Sequence, residues 1–494
     1  MGDRHFLAFD LGAESGRAFA AVLGDGRLGF EEILRFPNAP VEVEGTIYWD
    51  VPYLYENLLR GMREYRRLHG PTVDGIGIDT WAVDFGLLGR EGQLIDNPVA
   101  YRDARTRGMA AEAAKRMPLD VLYSHAGIMP LEIYTVFQML ALRLSESPLL
   151  EAAETFLMMP DLLANLLCGV QVCERTNAIT TSLYDPHAGQ WSDEVFDALD
   201  LPRGIMPELV DPGAVLCEVT DEIKAVTGLE QAPVIAPCTH DTGSAVAAVP
   251  ARGDDWAFLS SGTWSIVGML TDRPITTRAA YDAGLCNEST LGGFFLCRNI
   301  TGLWLLQQAR ACSEREGRAC SYAELVKMAD EAPAGGPVVH PDDPAFLAPE
   351  DMVGAIGKFC ERTEQNPPED IAGVARCILE SLALSHRRAV ETIAEVVGRR
   401  PRVLHIVGGG SRNAVLCQMT ANATGLPVVA GPNEATVIGN VLLQAYARGY
   451  LSSEEEIREV VRNSTELVEY EPRPGGVWDE RYGLYLRVLE EGKA

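Results

Sequence analysis

The sequence is short of the features that assign a protein quickly. No apolar run approaches the ~18–20 residues that a membrane span requires, and the opening MGDRHFLAFD lacks the layout of a signal peptide. Eleven cysteines are present without a C-x-x-C pair, and eight histidines without an H-E-x-x-H. A zinc site is therefore not expected, whereas buried, reduced thiols in a cytoplasmic protein are. Basic residues are scarce: 42 Lys and Arg stand against 70 Asp and Glu, a net charge of −28 at pH 7. That balance argues against broad binding to nucleic acid or to an anionic membrane, where Lys and Arg supply the affinity. It leaves room for a small anionic ligand held by backbone N–H groups and a metal.

What is present is ordinary for a folded chain. Of 494 residues, 47% are hydrophobic and 23% charged, enough for two or more domains with their own cores. Apolar β-rich runs alternate with helical patterns, which predicts an α/β architecture. Phe6–Leu11 and Ala18–Leu23 read as strands around a small-residue turn, Tyr53–Leu68 as an amphipathic helix and Val73–Asp79 as a buried strand. Helices fit Asp103–Arg116, Tyr134–Ser145 and Asp161–Leu167. The strand Ala232–Ala236 precedes a small-residue helix near Thr242. A second strand–turn–strand follows at Trp256–Leu270, then helices at Leu303–Cys312, Tyr322–Glu331 and Glu369–Val397, and a strand at Arg402–Val407. Ala332–Pro349 reads as a surface connection. The expected domains are residues 1–247 and 248–494.

Four segments carry chemistry. In Asp10–Arg17 a carboxylate ends a strand, where it can hold Mg²⁺ directly or through water, and Gly12, Ala13, Ser15 and Gly16 let the backbone approach an anion. Ser260–Thr263 offers hydroxyls and N–H groups to the far side of a polyphosphate. Two such turns facing each other across a cleft would clamp phosphates. Gly408–Asn413 follows a strand and opens a helix, and its three glycines remove each Cβ where a flat base or ribose would lie. It is neither the G-x-G-x-x-G fingerprint nor a Walker A loop, which needs a Lys. His240–Asp241–Thr242 stands where a loop enters a helix of tiny residues. There Asp241 can accept the proton of an attacking hydroxyl while the helix start attracts a phosphoryl group.

Taken singly, each has a plainer reading. The first is an ordinary hairpin turn, and Asp241 or Thr242 is a helix cap. Trp81 fits core and pocket equally. Arg102, Arg105 and Arg107 fit an ion-pair network better than an anion patch in so acidic a chain. Asn299 and Gln307 flank a helix start, where Asn commonly caps.

The order of the segments resembles the actin-like ATPase superfamily, and most closely the FGGY family of carbohydrate kinases. FDLGAESGR, GTIYWDV, GIGIDTWAVDFGLL, NPVAYRDARTRG, THDTGSAVAAVPA, FLSSGTWSIVG, RNITGLWLLQ, HIVGGGSRN and GLPVVAGPNEATVIGN carry the resemblance over nearly the whole length. It implies two actin-like ATPase (ribonuclease H-like) domains flanking an active-site cleft, with ATP as co-substrate and Mg²⁺. It implies ATP contacts at Ala13, Glu14, Ser15, Gly16, Arg17, Thr263, Gln307 and Gly409. Sugar contacts are implied at Ala82, His240, Asp241, Thr242 and Asn299, with Trp81 and Asp84 lining the pocket. Asp241 would be the general base, His240 an orienting or hydrogen-bonding group, and Asp10 the Mg²⁺-associated carboxylate. The most similar branch phosphorylates the 1-hydroxyl of L-rhamnulose in L-rhamnose catabolism, which implies a cytoplasmic enzyme whose partners are a ketose and ATP.

Three positions depart from the family pattern. Ala82 replaces a glycine at the sugar loop. Glu14 replaces a serine in the phosphate turn, where a carboxylate is unfavourable unless it faces solvent or helps hold the cation. Tyr134 replaces a polar pocket residue. These departures leave open another ketose, such as L-fuculose. An actin- or Hsp70-like ATPase acting through partners shares the nucleotide clamp but has no need of Asp241, Asn299 and Trp81 around a pocket.

Overall fold

A computed structural model describes residues 2–473, 475 and 477–491. The chain forms two compact units, and neither is contiguous in sequence. Met1–Arg252, Thr271–Leu296 and Ala435–Ser464 make unit 1; Gly253–Leu270, Cys297–Glu434 and Thr465–Ala494 make unit 2. The expected halves, 1–247 and 248–494, follow chain order and the units do not. The cause is plainest in the helix Ala435–Ala447, apolar almost all round, with Val437, Ile438, Val441, Leu442 and Leu443 buried. Such a helix must be enclosed, and it is enclosed by unit 1. Among the described residues no helix is long and apolar enough to cross a membrane. All eleven cysteines are free, and all but Cys217 and Cys320 are buried.

Unit 1 is built on a mixed six-stranded sheet. Its strands are β1 (Arg4–Leu11), β2 (Ser15–Gly24), β3 (Arg27–Pro37), β4 (Gly75–Thr80), β5 (Ala214–Glu218) and β6 (Pro233–Ala236). They lie in the order β5-β6-β4-β1-β2-β3. β1 runs antiparallel to β2 and parallel to β4, with Asp10 opposite Arg17 on one side and Asp79 on the other. Both carboxylates therefore stand at the carboxyl ends of adjacent parallel strands, the place where open α/β sheets bind ligands. The helix Val51–His69 covers one face. Asp50 caps it by accepting from Tyr53 N at 3.0 Å, Pro52 opens it, and Leu54, Leu58, Met62 and Tyr65 bury its apolar stripe.

Unit 2 repeats the opening. β7 (Trp256–Ser261) and β8 (Trp264–Thr271) form a hairpin, and β7 pairs in parallel with β10 (Val403–Val407). With β9 (Gly293–Thr301), β11 (Val428–Ala430) and β12 (Val468–Tyr470) the strand order is β9-β8-β7-β10-β11-β12. The long helix Ile371–Val397 runs through the core of this unit, capped by Asp370 and ended by Gly398 at φ +75°.

Two expected elements differ. The single helix over Asp103–Arg116 is a 3₁₀ turn, Ala104–Thr106, and a helix, Met109–Ala114, parted by Gly108 at φ +83°. Asn299 caps nothing: it lies within β9.

Candidate active site

The first group of site residues grows from the end of β1. Gly12 N donates to Ser15 O at 3.0 Å, closing the turn, and Asn38 fastens it by donating from Nδ2 to Gly12 O at 2.7 Å. Glycine is required at Gly16, where a Cβ would meet the Phe36 ring at 2.2 Å. Ala13 and Ser15 stay partly exposed, and Glu14 is exposed, so its carboxylate faces solvent. Arg17 reaches across the strand pair and donates from Nη2 to Asp10 Oδ2 at 2.5 Å. Burial raises the Asp10 carboxyl while Arg17 pulls it down. Burial, and then Asp10's charge beside it, push Asp79 well above the carboxylate range. Asn440 on the enclosed helix donates from Nδ2 to Asp79 Oδ2 at 2.6 Å.

The second group is the loop entering the short helix Asp241–Ala247. His240, not Asp241, occupies the capping position, and its side chain caps nothing. Asp241 Oδ1 instead accepts from Thr242 N at 2.5 Å and from Thr242 Oγ1 at 3.2 Å. About a third of its side chain stays open, at 35% exposure, while burial of the rest raises the carboxyl to about 6. His240 Nε2 lies 3.3 Å from Asp241 Oδ1, and its Nδ1 lies 3.4 Å from Glu288 Oε2. Burial lowers the His240 pKa, Glu288 opposing, which favours a neutral ring. Asp241's charge is felt at both Asp10 and Asp79.

The third group surrounds Asp84, which is fully buried. Its Oδ2 accepts from Trp49 Nε1 at 2.6 Å, Trp81 Nε1 at 2.9 Å and Tyr101 N at 3.2 Å. Its Oδ1 accepts from Gln138 Nε2 at 3.1 Å. Four donors pull its pKa down against burial, which leaves it raised to about 6. The carboxylate thus fixes two indoles whose ring centroids are 4.1 Å apart. Ala82 is half-buried in front of a sharp bend: Asp84 N donates to Ala82 O at 3.0 Å with Val83 between them at φ +70°. Thr135 Oγ1 and Gln138 Nε2 donate to Val83 O and hold that strained residue in place. Tyr134 is buried, its hydroxyl 3.9 Å from Cys286 Sγ. The three arginines expected as one ion-pair network separate. Arg105 donates to Gln138 Oε1 at 2.7 Å, Arg102 lies against Tyr101, and Arg107 is exposed.

Unit 2 carries the remaining residues. Gly302 N and Trp304 N donate to Thr263 O, and Leu303 N to Gly262 O, so the start of the helix Trp304–Arg315 fastens the second hairpin turn. Thr263 is half-exposed there, and Gln307 is exposed one turn into the helix. Asn299 is exposed on β9. The three glycines after β10 are not equivalent. A Cβ on Gly408 would lie 3.0 Å from Ser261 O, and one on Gly410 would lie 2.0 Å from Ser261 Oγ, so both serve packing. A Cβ on Gly409 would meet nothing within 4 Å. Of the three, only Gly409 leaves its backbone open.

Two family models match the chain in succession. The N-terminal domain model of the FGGY family of carbohydrate kinases matches residues 5–248, and the C-terminal domain model matches 257–448. The chain belongs to this family. It is an ATP-dependent sugar kinase. A rhamnulokinase of Bacteroides thetaiotaomicron is 41% identical over 480 residues, covering 97% of this chain and 98% of that one. A rhamnulokinase of Enterococcus faecalis is 37% identical over 490 residues, covering 98% of each. Among solved structures, a ligand-bound xylulose kinase from Lactobacillus acidophilus superposes with a TM-score of 0.84 at 16% identity, covering 99% of both chains. Plasmodium falciparum glycerol kinase with ADP gives 0.80 at 15% identity, covering 99% of this chain and 98% of that one. These two likenesses show the fold.

Several residues of these groups escape a reading of the sequence. Asp79 carried a usable signal, since it too is an Asp at the end of a buried strand. Trp49, Gln138, Glu288 and Asn440 carried none, because each joins the site through a partner distant in the chain.

Proposed function

We propose that this kinase transfers the γ-phosphoryl group of ATP to the 1-hydroxyl of L-rhamnulose, giving L-rhamnulose 1-phosphate and ADP in the catabolism of L-rhamnose. Identity to rhamnulokinases over nearly the whole chain supports the sugar. The observation that carries the chemistry is Asp241, a part-open carboxylate with a raised pKa and a neutral histidine beside it. An alcohol is not ionised at neutral pH, so its proton must leave as the O–P bond forms. Asp241 takes it once the hydroxyl sits within ~2.6–3.2 Å. His240, Thr242, Ala82 and Asn299 contact the sugar, and Trp81, held by Asp84, gives the pocket an apolar wall. Ala13–Arg17 take the phosphates through backbone N–H groups and the Arg17 guanidinium, and Thr263, Gln307 and Gly409 take the rest of the nucleotide.

A divalent cation fits the carboxylates present. Among the described residues no cluster of three or more metal-ligating side chains exists, so an all-protein cage is absent. Asp10 and Asp79 side by side suit Mg²⁺, which is held by one or two carboxylates and keeps its other positions for water and phosphate. When bound, Mg²⁺ neutralises phosphate charge. In this reading residues 1–247 supply the base, the first phosphate hairpin and the sugar pocket, and residues 248–494 supply Asn299, the second phosphate hairpin and the adenosine side, in the cytoplasm where ATP is available.

The test is ATP consumption with L-rhamnulose, L-fuculose and D-xylulose, with Asp241→Asn alongside. Turnover is expected to be greatest with L-rhamnulose and lost in the variant. No turnover with L-rhamnulose above the sugar-free rate would remove the substrate. Near-normal phosphorylation by Asp241→Asn would remove the base.

A further inference from the structure

Beneath the Asp241 loop lies a buried carboxylate that the reaction above does not use. Glu174 ends the short strand Val172–Glu174 and caps the four-residue helix Arg175–Ala178. It is fully buried. Its Oε1 accepts from Thr176 N at 2.8 Å, which is all that capping requires. Its Oε2 accepts three more bonds: from Thr239 N at 2.9 Å, from Thr239 Oγ1 at 2.8 Å and from Thr176 Oγ1. Thr176 Oγ1 in turn accepts from His240 N at 3.3 Å. On its other side, Thr239 O accepts from Thr80 N at 2.9 Å, next to Asp79.

The two backbone N–H groups preceding Asp241 are thus both tied to Glu174, one directly and one through a threonine hydroxyl. All four donors to Glu174 are neutral, and burial raises its carboxyl to about 7 against their pull. A Ser, Thr or Asp would cap so short a helix without burying a larger carboxylate. The bonds in excess of capping all lead to the chain that carries His240 and Asp241.

We infer that Glu174 is a positioning residue for the kinase reaction, clamping Thr239 and His240 so that Asp241 meets the sugar hydroxyl at one fixed place. This rests on Asp241 being the base. A misplacement of about 1 Å can reduce a rate ~100-fold, so a clamp on the two residues before the base has leverage on kcat. The Glu174 and Thr176 bonds act on backbone leading to Asp241 and touch no assigned nucleotide residue, so the effect falls on kcat and not on the KM for ATP.

The experiment is a double-mutant cycle in the full chain. Thr239→Val removes the hydroxyl donor while keeping the side chain's shape, Thr239→Ser keeps the donor, and Glu174→Gln turns an acceptor into an amide among donors. Each is measured alone and combined with Asp241→Asn, recording kcat, both KM values and the melting temperature. Thr239→Val and Glu174→Gln are expected to lower kcat ~10–100-fold with the KM for ATP within about twofold, and Thr239→Ser to restore most of the loss. Combined with Asp241→Asn, Thr239→Val is expected to change the residual rate by less than about twofold, because no base remains to be placed. Thr239→Val with wild-type kcat would overturn the clamp and leave the base intact. An equal fractional loss in both backgrounds would show that Glu174 acts through something other than Asp241. Near-normal activity of Asp241→Asn alone would remove the base, and the clamp with it. Should Glu174→Gln not fold, the two Thr239 variants decide the matter.

Discussion

Asn440 donates from Nδ2 to Asp79 Oδ2 at 2.6 Å, across 361 positions of chain. Both groups are fully buried, and Gln444 completes the row by donating to Asn440 Oδ1 at 2.7 Å. The strand gives way to admit the amides: a Cβ on Gly77 would lie 2.3 Å from Asn440 Oδ1. Asn440→Ala removes the donor to the buried Asp79 Oδ2, while Gln444 keeps its bond to Leu7 O. A loss of about 1–3 kcal/mol in the unfolding of unit 1 is expected, read as a lower urea midpoint. Gly77→Ala should lower the same midpoint and do so in the Asn440→Ala background as well, because its Cβ also meets Gln444 Nε2 at 2.5 Å.

The pH dependence of the rate follows from Asp241. Its carboxyl titrates near 6 and must be ionised to accept a proton. For the free enzyme, which kcat/KM reports, the profile is expected to be level above about pH 7 and to fall roughly tenfold per unit well below 6. The residual activity of Asp241→Asn should lack that acidic limb.

Stability should respond to pH in the opposite sense at Asp84. Its folded carboxyl, raised to about 6, exceeds the unfolded value, so the native state binds the extra proton. The contribution of this group is complete below about pH 4 and is lost as pH rises through 6. Comparing wild type with Asp84→Asn by urea unfolding, the stability difference should shift against wild type by about 2 kcal/mol between pH 4 and pH 7. The same variant is expected to raise the KM for the sugar, because an amide set among four donors releases the Trp49 and Trp81 indoles.

Neighbouring glycines should part company. Gly410→Ala drives a methyl into Ser261 Oγ and is expected to destabilise unit 2, seen as a lower melting temperature. Gly409→Ala enters open space and should fold as the wild type does, with its effect confined to the KM for ATP.

Glu14 faces solvent, one of the two arrangements a carboxylate in this turn allows. A carboxylate in a phosphate turn is unfavourable unless turned away, and this one is exposed. Glu14→Ser is expected to leave the KM for ATP within about twofold of wild type.

What could be read from the sequence was what local rules decide. The helix Val51–His69 was legible because Asp50, Pro52 and a 3.6-residue apolar stripe all lie within it or beside it. The two hairpins announced themselves by small residues between apolar runs. The break at Gly108 was hidden, because nothing in the surrounding pattern distinguishes a left-handed glycine from a tolerated one. Among the candidate residues, Asp10 and Asp241 were legible as isolated carboxylates and Asp84 only through the family resemblance, but their partners were not. Trp49 lies 35 positions from Asp84, Gln138 lies 54 away, and Thr239 reaches Glu174 over 65. No periodicity spans such distances. Of the three glycines after β10, the sequence could not say which two answer to Ser261.

The interleaving of the units also sets a timetable. Gln444 reaches back to Leu7 O over 437 positions, so the first strand of the protein waits for nearly the last helix before its environment is complete. A ribosome emerging past Arg252 must still make roughly 180 residues before the helix Ala435–Ala447 exists, ~10–40 s at ordinary synthesis rates. Throughout that interval the nascent sheet presents the apolar face this helix will cover, together with Asp79 lacking its amide. A chain terminated before Ala435 would keep that face uncovered permanently.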